Sequence, residues 1–285
     1  MTSIVAERPA LTAPVPAPAS VRHVPVGPLD VFDGDLGAAA EFLLARIRSG
    51  AGARVATANL DFVALARRDA VLREDLAAST LVVADGAPVA WLARAAGAER
   101  AARVTGVDLV LELCRRGTTD GLRVAFYGST PEKAEVAARY LETAFPGVRV
   151  VSRISPPFRP PTAAELAGQR ATLAAARPDL VLVALGCPKQ ERFIAENSDV
   201  APSAAWIGVG GTLDFFSGDK HRAPAALQRA GFEWAFRLVQ DPRRLWRRYL
   251  LRDLPALMAV APGILIRRAL RRRSRLDVPG PMAVD

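Results

Sequence analysis

The chain has 285 residues, 51% of them hydrophobic, and a formal net charge of +9. That length suits one large α/β domain with appendages; two cysteines and two distant histidines exclude a disulfide framework and argue against a zinc centre. The charge is confined to the end: residues 235–285 hold twelve Arg and four Asp, a net of +8, so an anionic partner is expected for the tail alone.

In chain order, residues 1–27 are rich in Pro and Ala and read as a flexible lead-in, without the positive leader and clean apolar core of a secretory signal. GDLGAAAEFLLARIRSG follows as a helix ending at Gly50. RVATANLDFVALARR reads as a short strand, a polar turn at Thr57–Asn59 and a helix; STLVVADGAPVAWLARAAG repeats the pattern with Asp85-Gly86 at the strand end. RVTGVDLVLELCRRG gives a loop and a helix. Strand 122–127, a turn at Gly128–Thr130 and Pro131 in a first helical turn form the clearest βα unit. VRVVSRI is a strand, SPPFRPPT a rigid loop, and ELAGQRATLAAARP a helix leading to strand 180–184. That strand empties into Gly186, Pro188, Lys189, Gln190 and Glu191, and AAWIGVG supplies the last strand.

About six strands alternating with helices predict an α/β fold: a mostly parallel, Rossmann-like sheet with helices on both faces, plus a C-terminal basic helical appendage. Thr57, Asn59, Asp85, Ser129, Gln190 and Asp214 all fall at strand C-terminal ends, which share one rim in such sheets and hold ligands there. GSTP at 128–131 is neither GxGxxG nor a Walker A, so its turn reads either as a phosphate contact or as a helix cap. Gly208, Gly210 and Gly211 allow close backbone approach to a ligand or form a tight turn. Asp85 is the candidate general base, the alternative being an Asx-turn or helix cap. Arg103 and Arg222 are candidates for neutralising a diphosphate, because arginine offers a rigid fork of donors. Cys187 reads as a small packed thiol.

In DPRRLWRRYL, 241–250, Asp241 suits an N-cap and Pro242 the first helical position. At about 100° per residue, Arg243, Arg244, Arg247 and Arg248 share one arc, opposite Leu245, Trp246, Tyr249 and Leu250. Such a helix can lie on an anionic membrane, close over a diphosphate, or pack on the core with a solvated basic face. No run reaches the length needed to cross a bilayer; the nearest, ALMAVAPGILI at 256–266, is broken by Pro-Gly. No recognition fold for nucleic acid accompanies the charge.

Taken together, the blocks Thr57-Ala58-Asn59, Asp85-Gly86, Arg103-Val104-Thr105-Gly106, GCPKQE (186–191), GVGGTLD (208–214), Arg222-Ala223-Pro224, EWAFRL and DPRRLWRRY resemble, in order, those of the WecG/TagA/CpsF glycosyltransferases. The resemblance spans roughly residues 28–252. It implies an inverting transferase moving a sugar (glucuronic acid, N-acetylmannosamine or another hexose) from a UDP-sugar donor to a polyprenyl-diphosphate-linked saccharide acceptor in exopolysaccharide or cell-surface glycan synthesis, without a metal or other cofactor. It implies Asp85, Thr57, Arg103 and Gln190 as catalytic residues, and Arg237, Arg244 and Arg247 as tail arginines closing over the site. Asn59, Gly128, Ser129, Lys189, Glu191, Gly210, Gly211, Asp214 and Arg222 complete the expected donor and phosphate contacts. The expected division is a lead-in over 1–27, an α/β catalytic domain over 28–231, a basic amphipathic appendage over 232–275 and a flexible tail over 276–285. The tail is expected to bind the cytoplasmic face of the membrane peripherally. No nucleic acid partner is expected, and homo-oligomerisation is left open. The SPPF loop departs from N-acetylmannosamine-type members and leaves the donor sugar open. The competing reading is a noncatalytic protein that binds nucleotide-sugar or anionic lipid.

Overall fold

The computed structural model describes residues 21–224, 226–227 and 231–276. Most of the stretch read as a lead-in, residues 1–20, lies outside this range. Its end, however, is ordered as strand: His23–Val26 (β1) and Leu29–Phe32 (β2) form an antiparallel hairpin turning at Gly27-Pro28, with Val26 opposite Leu29. Gly27 adopts φ +59°, a region disfavoured for L side chains, and Val260 of the tail packs within 3.0 Å of where its Cβ would lie.

The main sheet contains β3 (Ala53–Ala58), β4 (Leu81–Ala84), β5 (Arg123–Gly128), β6 (Arg149–Ile154), β7 (Leu180–Ala184) and β8 (Ala205–Gly208). All neighbours pair in parallel, in the order β4-β3-β8-β7-β5-β6. The α/β class is thus present, with an extra antiparallel hairpin. Numbered along the chain, the six strands run 2-1-6-5-3-4, which differs from the 3-2-1-4-5-6 order of dinucleotide-binding sheets.

Strands β4, β7 and β8 are buried on both sheet faces and so are apolar throughout, whereas edge strand β6 alternates between buried and more exposed positions. On one face Val55, Leu81, Val83, Phe126, Leu182 and Ile207 meet α1 (Leu36–Arg48), α5 (Gly106–Gly117), α6 (Pro131–Ala144) and α9 (Thr212–Phe216). On the other, Ala56, Ala58, Val82 and Ala84 meet α2 (Leu60–Ala66), α3 (Ala70–Ala77) and α4 (Ala87–Ala96). Tyr127, Val181, Val183 and Trp206 pack beneath α7 (Ala163–Ala176) and α8 (Lys189–Asn197). Each such fully buried large side chain contributes roughly 1.5–3 kcal/mol.

Past the sheet, helix Glu233–Gln240 is followed by helix Pro242–Arg248, a π-helical turn at Tyr249–Asp253 and a long helix Leu254–Leu276. Asp241 does occupy the N-cap, but its side chain makes no capping bond. Two expectations are corrected here. Pro262 sits inside the last helix without ending it, and Leu245–Leu270 is long and apolar enough to cross a bilayer. The stretch 256–266 was expected to break at Pro262-Gly263, whereas the helix runs through both and continues on either side. One face of this helix is nevertheless committed to the domain: Ala256, Val260 and Ile264 are buried in the same core cluster as α2, α4 and the hairpin.

Candidate active site

The C-terminal ends of the strands open into one cleft of about 910 Å³. Thr57, Asn59, Asp85, Ser129, Gln190 and Asp214, the six polar residues expected on a common rim, all line it, together with Gly210 and Gly211.

Asp85 follows β4 and precedes Gly86, the N-cap of α4, whose φ of +144° turns the chain sharply into the helix. Its backbone N–H donates to Ala58 O at 2.8 Å. Among the described residues its carboxylate caps nothing and forms no hydrogen bond, so the alternative of an Asx-turn or cap does not apply. Burial pushes the Asp85 carboxyl above the ordinary carboxylate range; Arg237 opposes this and Glu233 adds to it.

Thr57 is buried, and its hydroxyl donates to Gly208 O at 2.7 Å, tying β3 to β8 under the cleft floor. Asn59 caps α2, accepting from Asp61 N at 2.9 Å. Gln190 joins two turns: its Oε1 accepts from Gly186 N at 3.1 Å and from Gly210 N at 3.0 Å, while its Nε2 donates to Glu191 at 2.8 Å. A Cβ on Gly208 would lie 2.6 Å from Gln190 Nε2, which explains a glycine at this strand end. Thr130, not Ser129, caps α6. Ser129 holds φ +65° and its Oγ is buried without a partner beside the cleft.

Other expected contacts lie elsewhere. Gly128 is buried against Ala184 O, and Lys189 points to solvent. Glu191 is buried beneath the turn; burial raises its carboxyl to about 7, against hydrogen bonds that lower it. Asp214 is held by Lys220 at 2.5 Å and Lys133 at 3.2 Å, whose charges outweigh burial and depress its carboxyl. Arg103 and Arg222 stand behind the wall. Arg222 grips Asp108 through both terminal nitrogens, at 2.7 and 3.1 Å. Arg103 donates to Glu233 at 2.6 Å, and Glu233 in turn accepts from Arg237, which lines the cleft. Arg247 is exposed over Trp246, outside the cleft. Arg244 lies in the Pro242–Arg248 helix, but its side chain is outside what the structure describes.

Sequence reasoning missed Asp61, Lys220, Arg248 and Tyr249 as cleft residues, and Lys133 and Glu233 as their neighbours. Asp61 carried a faint signal, two residues beyond Thr57-Ala58-Asn59. Cys187 lines the cleft, but burial and the neighbouring Glu191 push its thiol up, so it packs rather than attacks. Among the described residues no group of three His, Cys, Asp or Glu side chains could hold a metal ion.

The model of the WecG/TagA/CpsF glycosyl transferase family matches residues 24–274. The chain belongs to this family. It is 30% identical over 227 residues to the N-acetylglucosaminyldiphosphoundecaprenol N-acetyl-beta-D-mannosaminyltransferase of Bacillus spizizenii, covering 79% of this chain and 86% of the relative. The protein of that name from Bacillus subtilis is 31% identical over 199 residues, covering 70% and 75%. As a WecG/TagA/CpsF glycosyltransferase, the chain transfers a sugar in glycan biosynthesis.

Proposed function

We propose that this family member is an inverting transferase that moves a hexose, such as N-acetylmannosamine or glucuronic acid, from a UDP-sugar to a polyprenyl-diphosphate-linked saccharide. The product enters exopolysaccharide or another cell-surface glycan, and the enzyme works peripherally at the cytoplasmic membrane face. The observation that carries the reading is Asp85: a cleft carboxylate free of hydrogen bonds among the described residues, its proton affinity raised by burial, with Arg237 near enough to act on it. The relatives' printed name supports a lipid-diphosphate-linked acceptor.

In this mechanism the acceptor hydroxyl oxygen attacks the anomeric carbon from the face opposite the diphosphate. The new C–O bond forms as the bond to the diphosphate oxygen breaks, and the hydroxyl proton passes to Asp85. Arg237 meets the charge developing on the leaving diphosphate inside a partly closed cleft, where such contacts are strengthened. Arg103 acts through Glu233 by fixing Arg237. Thr57 and Gln190 set the floor and the turns against which the substrates lie. The reading assigns no step to a metal. Asp85→Asn should lower kcat on the order of 100- to 10,000-fold, the usual span for a lost general base, with UDP affinity kept within twofold. Unchanged turnover would remove Asp85 from the mechanism.

A further inference from the structure

The arginines around the cleft use their guanidinium groups differently. Arg222 places both terminal nitrogens on Asp108. Arg103 sets Nη1 on Glu233 and holds Nη2 3.9 Å from Asp108. Arg237 engages Glu233 through Nε and Nη2, at 3.1 and 2.5 Å. Arg248 differs. Its two acidic neighbours, Asp253 at 3.4 Å and Asp61 at 3.7 Å, both approach Nε. Among the described residues, its one side-chain hydrogen bond runs from Nε to Asp253, and neither Nη1 nor Nη2 makes one, although the side chain lines the cleft. The cleft's lysine is no rival, because Lys220 is paired with Asp214.

Arg248 is also held in place. Asp253 is buried and brings one oxygen to Nε; Asp61 is fixed in turn by Arg252 at 2.8 Å. This grip falls at the entry to the π-turn Tyr249–Asp253. Such turns insert an extra residue into the helical repeat and re-aim side chains, frequently at functional sites. Arg248 and Tyr249 face the cleft, while Leu250, Leu251 and Leu254 of the same helix stand exposed. A rigid, forked cation thus sits where the cleft meets an apolar surface.

We propose that the Nη fork of Arg248 binds the diphosphate of the lipid-linked acceptor at the mouth of the cleft. This rests on the transferase reading above and assigns the acceptor's anion to a residue separate from Arg237. A planar fork matches two phosphate oxygens at once, which a lysine cannot do. A lipid diphosphate places its charge at the boundary between hydrocarbon and water, and the exposed leucines supply that boundary. Arg237, electrostatically coupled to Asp85, remains at the reacting end for the donor diphosphate.

The test uses the full chain and two separate probes, farnesyl diphosphate and UDP, with farnesol as the uncharged control. Wild type should bind farnesyl diphosphate at least tenfold more tightly than farnesol. Arg248→Gln should lose at least tenfold in affinity for farnesyl diphosphate and keep UDP affinity within twofold. Arg248→Lys, which keeps the charge but not the fork, should lose severalfold on the same probe alone, and it decides the matter if the Gln variant does not fold. Unchanged farnesyl diphosphate binding in either folded variant overturns the inference, leaving Arg248 as a strut between helices. An equal loss for UDP also overturns it and moves Arg248 to the donor. A wild-type chain that binds no UDP overturns the function reading and this inference with it.

Discussion

Replacing Gln190 with Met asks whether this residue holds the cleft together or touches substrate. Met nearly conserves volume, so the main loss is hydrogen bonding rather than packing. Two backbone N–H groups, on Gly186 and Gly210, lose their acceptor, and Glu191 Oε1 loses its donor. An orphaned buried group costs about 1–3 kcal/mol. The two turn amides are only partly buried, so about 1 kcal/mol for each of the three groups is appropriate, giving a loss of about 3 kcal/mol. For a domain of this size that lowers Tm by roughly 6–12 °C. Calorimetric or circular-dichroism melts measure the first effect; steady-state kinetics measure the second, a severalfold rise in KM for the UDP-sugar as the two turns relax. A variant that melts with wild type and binds donor normally would refute the bridging role. Wild-type stability with collapsed kcat would show instead that Gln190 contacts the reacting groups directly, as the family resemblance implied.

Glu191 makes a pH prediction. Its folded-state carboxyl lies at about 7, above the ordinary 4.5. The native state therefore holds the proton more tightly, so the associated stability is complete below about 4.5 and is lost as pH rises through 7; the full difference corresponds to about 3 kcal/mol. Glu191→Gln should flatten the dependence of Tm on pH between 5 and 8, and an unaltered slope in melts across that range would contradict the assignment. For the tail, Leu250, Leu251 and Leu254 replaced together by Ser should reduce cosedimentation with anionic vesicles at least tenfold, since burying each leucine is worth roughly 1.5–3 kcal/mol. Unchanged sedimentation would show that this face does not meet lipid.

Much of the site was legible because a parallel strand buried on both faces must be apolar until it leaves the sheet. The polar residues at or just past its C-terminal end, Thr57, Asp85 and Ser129, then mark the rim. That logic weakens one turn into a helix. Lys189, Gln190 and Glu191 are consecutive, yet helical rotation sends Lys189 to solvent and buries the other two. Ion pairs across distant segments, such as Lys133 with Asp214, leave no local pattern to read. In the tail, a uniform 100° per residue grouped Arg247 with Arg248. Adjacent helical positions nevertheless stand about 100° apart, enough to leave Arg247 over Trp246 and to turn Arg248 toward the cleft. The hairpin was hidden differently: the prolines of HVPVGPLDVF read as linker, although its alternation and Gly-Pro turn fit a hairpin.

The position of β8 has a consequence for how the chain is made. β3 and β4 form one pair, β7, β5 and β6 another group of three, and β8 is the strand that bridges them. It is also the last strand to be synthesised. Before it emerges, the earlier strands can pair only as two partial sheets with unfilled edges and no shared floor. Thr57 cannot bond to Gly208, nor Gln190 to Gly210, until that final strand arrives. Such long-range pairing is intrinsically slow and leaves edges open to wrong partners. Assembly of the cleft is therefore a closing event, late in translation, and a chain cut short before Ala205 keeps most of its strands but has no seam to join them.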